Sequence, residues 1–291
     1  MICWISTMID LHANPSGNSG GKILRSVSAY FPRPGFMLGV LAAMLSIFPA
    51  GAWADQHVPS EVEESPVEFD LRAVFAPDTG RVDPLVELSA AFQPDSMPLG
   101  LSSLTAGAYL RVIDNLKLGA FYRMQLGSRH DDDWISDGAG GWSWADSSRR
   151  LEHLIIADAT PRVLLPFLPG EDWVGGVKAR YLYNFHNGQQ SLYIRPGLTY
   201  VYLVRRSPVF NLSLAYAAGI GLNFSSGIYS HDLYANGLYH LSDGVKLELR
   251  LGWNRTTWET SADGREAGLD YRYSPDIFRA GAGIIFTPDL K

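Results

Sequence analysis

The stretch of this sequence richest in chemically capable side chains runs from Gly127 to Arg150. His130, Asp131, Asp132 and Asp133 stand together ahead of Trp134, and Trp142, Trp144, Asp146 and two arginines follow the small-residue run from Gly138 to Gly141. Carboxylates this close can share a proton or activate a water. With His130 they are also hard-cation ligands, but the glycine turn and closing bidentate acid of a calcium loop are missing. A second group, Ser230-His231-Asp232, holds the residue types of a hydrolytic triad in adjacent positions. His153, His186, His231 and His240 share no metal-ligand spacing. No phosphate loop, dinucleotide fingerprint or nucleophile elbow is present. Neither a metal nor a cofactor is expected.

A third group is spread along the chain. Arg111, Arg123, Lys178, Arg180, Arg195, Lys246 and Arg250, with Glu152, Asp158, Asp232 and Glu248, each fall on the polar row of a segment that alternates apolar and polar residues. If these rows face one enclosed space, the charges either pair and fill it or line a narrow passage. Because the cations outnumber the carboxylates, such a passage favours small anionic solutes. The whole chain is acidic, with 24 Lys and Arg against 30 Asp and Glu and a net charge of −6. That argues against nucleic-acid binding, which needs a concentrated basic face. One cysteine among 291 residues excludes a disulfide framework or a Cys-rich metal site.

Period-two segments are the elements that must position these groups. Val67, Phe69, Leu71, Ala73 and Phe75 alternate with Glu68, Asp70, Arg72 and Val74. The clearest case sets Phe210, Leu212, Leu214, Tyr216, Ala218, Ile220 and Leu222 against small or polar neighbours. Eleven such segments follow one another to residue 286, with almost no helical period between them. Many run to ten residues or more, longer than the usual strand of a soluble sandwich and enough to cover about 23 Å at a 45° tilt. Tyr181, Tyr183, Phe185, Tyr200, Tyr202, Trp253 and Phe286 recur on the apolar rows, as interfacial aromatics do.

The N-terminus sets the expected destination. Lys22, Arg25 and Arg33 precede an apolar core from Gly35 to Phe48, and Ala52-Trp53-Ala54 supplies an Ala-x-Ala site. Residues 1–54 are therefore expected to be an N-terminal extension plus a cleavable signal peptide, cut between Ala54 and Asp55. Residues 55–66, with four acids and two prolines, read as a disordered acidic leader. The remainder, 67–291, is one all-β domain, a transmembrane antiparallel up-and-down barrel of 10–12 strands. Single-chain bacterial barrels use even strand numbers, so the count of eleven points to one segment split or missed.

Taken together, signal peptide, alternating rows and a final segment ending on Phe286 resemble Gram-negative outer-membrane β-barrel proteins. That resemblance spans the chain from Val67 and implies an outer-membrane location, contact with outer-membrane lipid, delivery by the barrel-assembly machinery and a monomeric state. The five residues after Phe286 depart from the usual C-terminal strand. The expected function is non-enzymatic: a structural barrel, or a narrow channel with a basic lumen. One loop also resembles that of omptins, outer-membrane proteases in which an Asp-x-Asp pair faces an Asp-x-His across the barrel mouth and the four groups activate a water. That resemblance places Asp131 and Asp133 in one pair and His231 and Asp232 opposite, although the order and spacing of the latter depart from the family's Asp-x-His. The alternative is thus an embedded hydrolase, an omptin-like protease or a lipid hydrolase, working at the extracellular rim.

Overall fold

The computed structural model describes residues 67–92, 102–126, 133–145, 150–168, 172–205, 207–225 and 227–290. The expected signal peptide and leader, and Asp131, lie outside these residues. Eleven long strands alternate through the chain. They are β1 (Val67–Phe75), β2 (Val82–Phe92), β3 (Ser102–Ile113) and β4 (Leu116–Leu126), then, after a small hairpin of β5 (Asp133–Ser136) and β6 (Trp142–Ala145), β7 (Leu151–Leu164), β8 (Trp173–Asn184), β9 (Gln190–Val204), β10 (Ser207–Gly221), β11 (Ile228–Ser242) and β12 (Val245–Thr256). A second excursion carries β13 (Trp258–Glu259), a short helix (Ala262–Glu266) and β14 (Arg272–Tyr273) before the last long strand, β15 (Asp276–Phe286).

The long strands close into one barrel in chain order. Every neighbouring pair is antiparallel except the closure, where β1 and β15 run parallel from Val67↔Phe278 to Phe75↔Phe286. The even-number expectation is thereby corrected: the eleven segments are eleven strands. An odd up-and-down barrel must join its first and last strands in parallel. Residues beyond Phe286 continue this seam, with Asp78 donating its N–H to the Pro288 carbonyl at 3.0 Å and Leu290 to that of Asp78 at 2.9 Å.

Chain direction sorts the connections between two rims. Those from β1 to β2, β3 to β4, β7 to β8, β9 to β10 and β11 to β12 join strand ends at one rim, the short-turn rim; those from β2 to β3, β4 to β7, β8 to β9, β10 to β11 and β12 to β15 join strand ends at the other, the long-loop rim. Val67 starts at the long-loop rim and Phe286 ends at the short-turn rim. At the long-loop rim the two excursions pack together, with Trp134, Trp144, Trp258 and Tyr271 stacked at centroid distances of 4.8 to 5.8 Å.

The polarity of the wall is inverted relative to a soluble protein. Leu71, Leu88, Leu249, Leu251 and Phe278 are each more than half exposed on the outside, whereas Glu87, Glu152, Lys117 and Glu248 are at most 2% exposed inside. Large rings concentrate near both rims of the outer face. Trp173, Tyr200, Tyr202, Tyr239 and Phe286 stand towards the short turns, Tyr122, Tyr183, Tyr216, Trp253 and Phe278 towards the long loops, with Leu, Ile, Val and Ala between.

Inside, Val74, Leu85, Phe121, Ile156, Val174, Leu238 and Ile285 cluster as an apolar plug in the half of the barrel nearer the short turns, interleaved with charged residues of the same strands. Gly119 makes it possible. A Cβ there would fall 2.5 Å from the Phe121 ring and 2.7 Å from that of Tyr109, so only glycine lets both rings lie inside the wall.

Candidate functional site

The alternation of each strand sends every second side chain inward, and the lumen charges meet in four groups. Deepest in the wall, Asp158 on β7 accepts from Arg180 Nε and Nη2 of β8, both at 2.6 Å, and pairs with Lys178 at 2.7 Å. Tyr109 bridges them, donating to Asp158 at 3.1 Å and accepting from Lys178 at 2.8 Å. Near the short turns Asp83 holds Lys117 at 2.8 Å and Arg111 at 3.6 Å. Across the parallel seam Arg72 meets Glu248 at 3.3 Å and Arg250 meets Asp70 at 3.0 Å. Towards the long-loop rim Arg279 lies 2.9 Å from Glu68 and 3.3 Å from Asp232, which also accepts from Asn254 at 2.7 Å.

All seven basic residues read from the sequence, Arg111, Arg123, Lys178, Arg180, Arg195, Lys246 and Arg250, point into the lumen, as do Glu152, Asp158, Asp232 and Glu248. Sequence reasoning left out Arg72, Lys117, Arg162 and Arg279 and the carboxylates Glu68, Asp70, Asp83 and Glu87. Their signal was the same alternation: each occupies the row opposite an apolar one. With these added, cations still outnumber carboxylates.

Between the plug and the long loops lies a cavity of about 200 Å³. Arg123, Arg180, Arg195 and Arg279 line its deeper part, one or two inward positions further from the rim than Gln125, Asn184, Ser191 and Thr256. Tyr193, Tyr229 and Phe224 form an aromatic wall, with Phe224 packed against Tyr229 at 5.0 Å. Asp232 is the carboxylate lining this space, and Arg279 and Asn254 already engage it. Gly219 opposite Tyr193 leaves the room for that ring: a Cβ would meet it at 2.8 Å.

The residues of the hydrolytic alternative are not brought together. Asp133 belongs to the rim hairpin, where its Oδ2 accepts from the Ser261 N–H at 2.9 Å and its Oδ1 from the Trp134 N–H at 2.7 Å. It thereby anchors the start of the short helix that Ser261 caps. His231 faces the outer side of the wall, its Nδ1 2.6 Å from the Tyr216 hydroxyl, while Asp232 faces the lumen. Consecutive strand residues point to opposite faces, and no bulge relaxes this pair. Among the described residues no group of three or more His, Cys, Asp and Glu is arranged to hold a metal ion.

Comparison with models of known protein families gives no match, and comparison with curated proteins gives none either.

Proposed function

We propose that this chain is a monomeric, non-enzymatic β-barrel of the Gram-negative outer membrane, closed towards its short-turn rim and opening as a basic cup at the long-loop rim, which faces the cell exterior. The observation that carries this reading is the inverted wall. Leu249, Leu251 and Phe278 stand 69%, 67% and 59% exposed outside while Glu87 and Glu152 are wholly buried inside. In water that arrangement forfeits the hydrophobic term that closes a soluble barrel. In lipid it is the stable one, because the apolar band meets hydrocarbon and every strand N–H is satisfied within the closed sheet. The two belts of rings support the same reading: Trp173 and Tyr183 are ten residues apart on β8, roughly 23 Å along the axis at a tilt near 45°.

Two observations favour a closed structural barrel over a channel. The apolar cluster draws inward residues from strands all round the barrel, β1, β2, β4, β7, β8, β11 and β15, and the pairs Arg72–Glu248, Arg250–Asp70 and Lys117–Asp83 each join strands two places apart. Asp133 bound to backbone amides and His231 on the outer wall favour the non-enzymatic reading over a hydrolase. Refolded protein in detergent is expected to migrate compactly without boiling and more slowly after it, and to give no discrete conductance in a planar bilayer. A single mobility under both conditions would remove the barrel reading; stepwise, salt-dependent currents would replace the closed barrel with the channel.

A further inference from the structure

We infer that the cup is a binding site for a small phosphate-type oxyanion carrying a planar group, gripped by Arg123 and Arg195. This rests on the closed barrel proposed above and adds a ligand to it.

The argument starts from charge compensation. A guanidinium stays protonated in any protein environment, and burying one without a partner costs several kcal/mol. The other cations of the cup meet that cost with carboxylates: Arg180 has Asp158, and Arg279 has Glu68 and Asp232. Arg123 and Arg195 are held less closely, and Glu87 and Asp158 act on Arg123 only from beyond ion-pair distance. The two arginines are 7% and 6% exposed, and among the described residues neither has a carboxylate within ion-pair distance. Arg123 donates from Nε to the Thr105 hydroxyl at 3.0 Å, and its buried Nη2 has no hydrogen-bond partner. Arg195 sits over the Tyr234 ring at 5.1 Å, and its buried Nε likewise lacks a partner.

Both side chains line the same cavity, a space of about 200 Å³ that is large enough for a small molecule. Planar guanidinium groups match the paired oxygens of a phosphate or carboxylate. Two of them on one cavity select an oxyanion over a neutral solute. Tyr193, Tyr229 and Phe224 add an apolar wall that suits a flat substituent on that anion. The cavity lies inside the lumen, behind the wall from the bilayer, so a soluble ligand entering past the long loops fits it better than a lipid headgroup.

The test uses the full mature chain refolded in zwitterionic detergent and titrated calorimetrically. Phenyl phosphate is expected to bind saturably at one site, inorganic phosphate more weakly, and phenol not at all. Arg123→Gln and Arg195→Gln should each weaken phenyl phosphate by roughly 10- to 100-fold. Arg162→Gln, an inward arginine outside the lining of this cavity, should leave it unchanged. Where a glutamine variant fails to give the compact gel form, the corresponding Arg→Lys keeps the charge but not the fork, and should still lose several-fold in affinity. Dodecyl phosphate added to the micelles should not compete; competition would overturn the soluble source. Compactly migrating protein that shows no saturable heat, or equal losses in all three glutamine variants, would overturn the site while leaving the barrel standing. Absence of the compact form would instead count against the barrel itself.

Discussion

Asp158 shows how much can hang on one side chain. It is wholly enclosed by Arg180, Lys178 and Tyr109, so its loss leaves two buried cations facing each other. Asp158→Asn keeps the shape and removes the charge, and is expected to cost about 3–5 kcal/mol. A urea titration of the detergent-folded protein, followed by tryptophan fluorescence, checks this; a midpoint within error of the parent would contradict the pairing described. Gly119→Val acts by volume instead. Its side chain must displace Phe121 or Tyr109, an overpacking penalty of about 1–3 kcal/mol, read in the same titration. At this scale the sequence was legible wherever a residue's role follows from its row. Arg123, Lys178 and Arg195 were identified because a two-residue period fixes which way they point. The contact that Asp133 makes was not legible, because its partner is the backbone of Ser261, 128 positions away, and nothing local signals such a contact.

The weakest of the elements is the parallel seam between β1 and β15. Parallel pairing is slightly less stable per residue than antiparallel, and here it must hold the barrel shut. Compensation comes from within: Glu68–Arg279, Asp70–Arg250 and Arg72–Glu248 all tie β1 to β15 or to β12 beyond it. These pairs are buried, so salt screens them little. The double variant Glu68→Gln with Asp70→Asn should lower the temperature at which the compact gel form converts to the unfolded one, while Asp114→Asn in the β3–β4 turn should not. Equal conversion temperatures would show the seam to be held by its backbone alone. The rim excursions form a separate unit of stability, resting on Trp134, Trp144, Trp258 and Tyr271. Trp144→Ala is expected to expose residues 133–145 to protease without altering the barrel's heat-modifiable migration. The long strands were readable because ten or more alternating residues leave no other period. The two-residue strands β13 and β14 and the five-residue helix were not, because they are shorter than any repeat that could announce them and exist through contacts between distant loops.

For the molecule as a whole, the two halves of the lumen do different work. In the proposed reading the plug closes the barrel and the cup takes the anion, so conductance and anion binding are expected to vary independently: Arg195→Gln should weaken binding without opening the barrel. The expectation of a barrel survived contact with the structure because inside and outside are distinguished along every strand. The parity of the strand count was misjudged for a different reason, since a general habit of such barrels was set above a direct reading of eleven segments. That parity has a topographic consequence. An even barrel returns its chain to the rim from which it started, whereas this one ends at the opposite rim. In the proposed orientation an epitope set just before Val67 should be stained on intact cells, and one placed after Leu290 only once the outer membrane is permeabilised. In that orientation the two ends of the domain would be addresses in different compartments, and a fusion partner would be displayed or hidden simply by choosing which end carries it.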